Sequence, residues 1–166
     1  MQIEKDINLL TKKEFLTIFG TIFEKSEWIA NETFELKPFK NSEDLINKMM
    51  DIYENTPNQK IIDIFKLHPK LAIEKKLTSF SSNEQADAKL TTCTKEELKE
   101  FKNLNINYEE KFKFPFIIAV KGKNKNEILE NFKKRIKNNL QEEFNEAKIQ
   151  VKKIALFRLK DILKIN

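Results

Sequence analysis

Two glycines (Gly20 and Gly122) and four prolines among 166 residues leave this chain few places for tight turns. That scarcity excludes a β-sandwich or barrel, whose many short strands each need turn chemistry. A single cysteine, Cys93, excludes an internal disulfide and suits a reducing compartment. With only one histidine, His68, beside it, no zinc site can be built from those ligands. No apolar run approaches the ~20 residues that span a bilayer. EF-hand loops and phosphate-cradling glycine loops are absent as well. The opening MQIEKDINLL lacks the apolar stretch of a secretory signal, and the closing LKIN is not a peroxisomal tripeptide. The expectation is a cytoplasmic protein with no metal and no membrane segment.

What is present describes a globular protein. Hydrophobic residues at 40% and charged residues at 34% suit one folded domain over residues 1–166. The net charge of +5 raises the question of nucleic acid. Lysines and glutamates are interleaved, however, as in NKNEILENFKKRIKN, a pattern of solvated helix faces rather than of a basic arm. A basic helical module that binds nucleic acid or an acidic partner is therefore the second reading. Arginine is scarce too: of 31 basic residues only Arg135 and Arg158 carry a guanidinium. Each invites the question of what its planar fork holds.

The apolar spacing is helical from end to end. Thr11-x-x-Glu14 is a capping box before Phe15, Ile18, Phe19, Ile22 and Phe23 at helical steps. Ser26 and Ser42 mark two further helix starts, and Pro57 a fourth that runs into His68-Pro69. It should stop there, since a residue before proline is pushed out of the α region. Ser81-x-x-Glu84 and Thr94-x-x-Glu97 repeat the capping box, which places Glu84 in the first turn of a helix ending near Leu90. Asn124 opens another helix, and the longest covers about Leu140 to Leu163. The run Phe114 to Val120 could form a strand, but with no partner strand a buried turn or short helix is expected. The reading is an all-α, compact multi-helix domain of seven to nine helices.

Three side chains stand out chemically. His68 sits at a helix exit, where unpaired carbonyls favour a protonated imidazole; it is either a satisfied helix-end histidine or an acid–base group. Glu84 is either a local cap or a carboxylate facing a ligand. Arg158 falls on the apolar stripe of the last helix, four residues from both Ile154 and Ile162. A guanidinium there must be paired, by an internal glutamate or by a substrate carboxylate or phosphate.

Segments spread along the chain resemble the 2-oxo-4-hydroxy-4-carboxy-5-ureidoimidazoline (OHCU) decarboxylases. They are FGTIFEKSEWIA at 19–30, PF at 38–39, HPKLA at 68–72, LTSFSSNEQADA at 77–88, LNINYEEKFKFPFIIAVKG at 104–122 and KIALFRLKDIL at 153–163. The resemblance implies an all-α fold, often homodimeric, that decarboxylates OHCU to (S)-allantoin with no cofactor. It implies His68 as proton donor, Glu84 as its partner, and Arg158 as the clamp on anionic or carbonyl groups. It further implies a substrate lining of Pro69, Ser81, Ser82, Asn83, Glu84 and Gln85, facing Phe116, Ile117, Ile118, Ala119 and Val120. Arg135 matches a basic position read as structural.

The chain departs from the family pattern where Ile73, Lys89 and Lys113 replace glycines and Glu27 replaces a proline. If a replaced glycine needed positive φ, the backbone must shift. A third reading keeps the pocket and changes the substrate to another ureido or imidazoline acid.

Overall fold

The computed structural model describes residues 7–72 and 77–165, and among them every regular element is helical. The eight α-helices are α1 (Lys12–Phe19), α2 (Glu27–Phe34), α3 (Ser42–Glu54), α4 (Asn58–Lys66), α5 (Ser79–Asp87), α6 (Lys95–Phe112), α7 (Lys125–Arg135) and α8 (Leu140–Leu163), with 3-10 turns at Ile7–Leu9 and Leu90–Thr92. The all-α expectation is met. No described helix is long and apolar enough to cross a membrane. By contact the chain divides into two compact units, residues 1–64 with 152–166, and residues 65–151.

In the first unit the core is aromatic. Phe15 meets Phe19, Phe34 and Phe39 at ring separations of 4.7, 5.4 and 6.0 Å, and Phe23 stacks on Tyr53 at 4.9 Å. Burying each such ring contributes ~1.5–3 kcal/mol. The Thr11–Glu14 capping box forms as expected. The helix it opens ends sooner than the apolar stripe suggests, because Gly20 closes it with its N–H on the Leu16 carbonyl. A Cβ at Gly20 would run into that oxygen. Ile22 and Phe23 are still buried, on the turn that follows. Glu27 occupies the first position of α2, a site that suits proline and, through the helix dipole, a carboxylate equally well.

The second unit is built around an irregular stretch. Residues 115–120 belong to no helix, turn or strand, yet Phe116, Ile117, Ile118, Ala119 and Val120 are all buried. The expected turn or short helix there is not found. A buried backbone without a ladder must find hydrogen-bond partners elsewhere, and here side chains supply them. Arg135 Nη1 donates to the Ile117 carbonyl at 2.7 Å, and the Ala119 N–H donates to Gln150 Oε1 at 2.9 Å. Phe116 stacks on Phe132 with ring centres 3.9 Å apart.

At two of the three positions where the resemblance implies glycine, the backbone is left-handed. Lys89 (φ 58°) and Lys113 (φ 65°) both sit in the left-handed region, Lys113 as the cap that ends α6. That is a conformation glycine adopts freely and other residues rarely do. Ile73, the third replacement, lies outside the described residues.

Candidate active site

His68 leaves α4 on a tight turn, its N–H donating to the Phe65 carbonyl at 3.1 Å, and is only 8% exposed. The helix does stop before His68-Pro69, at Lys66. Three residues before His68 and in the same unit, Phe65 packs its ring on Phe114 at 4.9 Å, so the α4 exit abuts the start of the irregular stretch.

The helix carrying Glu84 begins earlier than the capping pattern suggests. Its cap is Thr78, whose hydroxyl accepts from the Ser81 N–H, and Ser81 itself is buried within the first turn. Glu84 therefore lies in the second turn and is not a capping residue. Thr78 and Ser81 are both good N-caps, and the burial of Ser81 leaves Thr78 at the boundary. The Ser82 N–H is used as well, by the Thr78 carbonyl at 2.9 Å, so the free amides expected from 81 to 85 are not all free. Ser82 and Asn83 face solvent; Glu84 is half-buried.

Gln85, next to Glu84, joins this helix to the histidine loop. Its Oε1 accepts the Ala72 N–H at 3.1 Å, while its buried Nε2 has no hydrogen-bond partner. A buried amide donor left unpaired costs ~1–3 kcal/mol, which a ligand carbonyl would recover. The loop that follows His68-Pro69 is thus tied to α5 through Gln85.

Arg158 lies in the other unit, 2% exposed, with Nη1 on the Ile22 carbonyl at 3.2 Å and on Glu24 Oε2 at 3.3 Å. Glu24 is equally buried. The internal glutamate that a stripe-borne arginine requires is therefore Glu24.

Arg135 forms the most complete polar cluster, and its centre is a residue the sequence reading overlooked. Glu143 has no exposed surface and takes Arg135 Nη2 at 2.6 Å, Asn138 Nδ2 at 2.8 Å and the Tyr108 hydroxyl. Burial, then the Glu143 carboxylate, pushes the Tyr108 phenol far up, so it stays a donor. The guanidinium also lies 4.5 Å over the Phe116 ring. The signal for Glu143 was its place four residues before Ala147 on the buried stripe of α8.

In this all-helical fold, a buried imidazole thus lies on a loop that is tied to a helix carrying an unpartnered amide donor. A family model, OHCU decarboxylase, matches residues 8–160. The chain is 34% identical to the 2-oxo-4-hydroxy-4-carboxy-5-ureidoimidazoline decarboxylase of Xenopus laevis, covering 94% of this chain and 91% of that one. It is 39% identical to the uric acid degradation bifunctional protein of Bacillus sp. (strain TB-90), over 96% of this chain but 32% of that one. The chain thus spans about a third of the length of the bifunctional relatives it matches. Among solved structures, OHCU decarboxylase in the presence of (S)-allantoin superposes with a TM-score of 0.71 at 26% identity, covering 84% of this chain and 92% of that one. The chain belongs to the OHCU decarboxylase family.

Proposed function

We propose that this protein decarboxylates OHCU to (S)-allantoin without a cofactor, in the breakdown of uric acid. The observation that carries the reading is the junction at Gln85. One end of its amide holds the loop that bears the chain's sole histidine, and the other end is a buried donor without a partner. Family membership across residues 8–160 supplies the substrate.

In this reading the bond from the ring carbon to the carboxylate breaks and CO₂ leaves. The electron pair passes into the adjacent imine and carbonyl system. A donor such as Gln85 Nε2, aimed at the oxygen where charge gathers, stabilises the enolate-like intermediate. His68 then delivers a proton to one face of the ring, which fixes the configuration, and Glu84 orients the imidazole for that transfer. General-acid help of this kind is worth about 10²–10⁴-fold. Pro69 and Ser81 to Gln85 form one side of the lining, and Phe116 to Val120 form the other. The role of Arg158 as substrate clamp is supported by the family resemblance, alongside its ion pair with Glu24.

The same reading takes residues 1–166 as one working domain, a cytoplasmic homodimer. Against the basic-module alternative stands the pairing of Lys12, Lys48, Lys70, Lys125, Lys133 and Lys152 with carboxylates. The test is the disappearance of freshly made OHCU in the presence of the protein. Loss well above the spontaneous rate, abolished by His68→Asn and slowed by Glu84→Gln, is expected. Loss at the spontaneous rate would sink the proposal.

A further inference from the structure

Three residues beyond His68, the chain is gripped from two helices at a single peptide bond. The Leu71 carbonyl accepts Asn105 Nδ2 at 3.2 Å, and the Ala72 N–H donates to Gln85 Oε1 at 3.1 Å. Both groups of one peptide plane are therefore held by buried amides, one on α6 and one on α5. Asn105 is 1% exposed and Gln85 is 5% exposed. An outer link runs beside them, from Lys70 Nζ to Glu109 Oε2 at 2.7 Å. Asn105 and Glu109 are one helical turn apart, so the same face of α6 makes both contacts.

We propose that Asn105, acting with Gln85, is a positioning residue that fixes His68 by clamping the Leu71–Ala72 peptide. The inference rests on the reading of His68 as the proton donor. Asn105 has a local duty too, donating to the Phe101 carbonyl at 2.7 Å in its own helix. That bond alone explains a polar residue on a helix but not one buried at this point of α6. The bond to Leu71, across 34 residues of sequence, is what ties the helix to the loop.

The chain between the clamp and His68 has little freedom. Pro69 locks its own φ. Leu71 is buried, and Ala72 is held at φ 64°, in the left-handed region. A peptide plane fixed at Leu71–Ala72 therefore limits where the imidazole can point. Proton delivery to one face of a small planar ring needs that limit, since a misplacement of ~1 Å can cost about 10²-fold in rate.

The experiment exploits the single histidine: its imidazole Hε1 resonance needs no assignment. Asn105→Ser keeps an i−4 bond to the Phe101 carbonyl but is too short to reach Leu71. It should shift or broaden the His68 resonance, speed exchange of the Ala72 amide, and lower kcat on OHCU about 10–100-fold with little change in KM. Ile128→Ala, in the core of α7, removes packing without touching the loop and should leave the resonance and kcat of folded protein unchanged. An unaltered His68 resonance and kcat in folded Asn105→Ser would overturn the proposal. If that variant does not fold, Lys70→Met at the half-exposed outer link decides, since it should move the same resonance in the same direction by less; no movement overturns it. Should wild type fail to turn over OHCU, the functional reading falls, while the resonance and exchange arms still decide the clamp.

Discussion

A carboxylate with no exposed surface survives at Glu143 because four donor atoms on three side chains surround it, among them a guanidinium shared with the Ile117 carbonyl. Removing one member of such a group leaves the others buried and unpaired. Arg135→Met is therefore expected to cost about 3–5 kcal/mol in urea unfolding, far more than an exposed lysine change. A loss below ~1 kcal/mol would show that the cluster is not the anchor of the irregular stretch. The residue scale is also where sequence reading was most uneven. Arg158 was legible, because a guanidinium on an apolar stripe demands a partner. Arg135 was read as structural on its match to a basic position in the family. Glu143, Glu24 and Asn105 were not singled out, because glutamate and asparagine are common in this chain and their burial is a product of tertiary packing.

At the scale of elements, helix starts were legible wherever a capping box stood alone. Thr11, Thr94 and Asn124 cap as their local sequence requires. The start of α5 was misread because Thr78 and Ser81 compete for the same role three residues apart. The buried stretch 115–120 was misread because its backbone is satisfied by Arg135 and Gln150, which lie 18 and 31 residues from their partners. The two left-handed lysines give a direct prediction. Lys89→Gly and Lys113→Gly each relieve a conformation that costs a non-glycine residue ~1–2 kcal/mol. Set against the greater freedom glycine gains in the unfolded chain, each should stabilise the protein by up to ~1 kcal/mol, read as a higher urea midpoint; a lower midpoint for both would contradict it. The Lys125 ammonium, then the Thr94 N–H, holds the Glu97 carboxyl below the usual carboxylate range. Its folded value thus lies below its unfolded one, so its stabilisation is present above the ordinary carboxylate range and fades as pH falls through the lowered value. The gap in urea midpoint between wild type and Glu97→Gln should accordingly narrow from pH 7 to pH 3.

At the scale of the whole molecule, scarcity of glycine and proline together with unbroken helical spacing made the all-α class legible. The family was legible from a handful of segments in order, HPKLA and SSNEQ above all. The packing that serves His68 was not, because it depends on amides far apart in sequence meeting one peptide bond. The proposed function rests on stereospecific protonation by a single imidazole. The most direct measurement is the circular dichroism of the allantoin formed from fresh OHCU, with wild type and His68→Ala compared at equal protein concentration. A band of the (S) enantiomer that builds with wild type and is absent with His68→Ala is the predicted result. Racemic allantoin from wild type, or an undiminished (S) band from His68→Ala, would contradict the account.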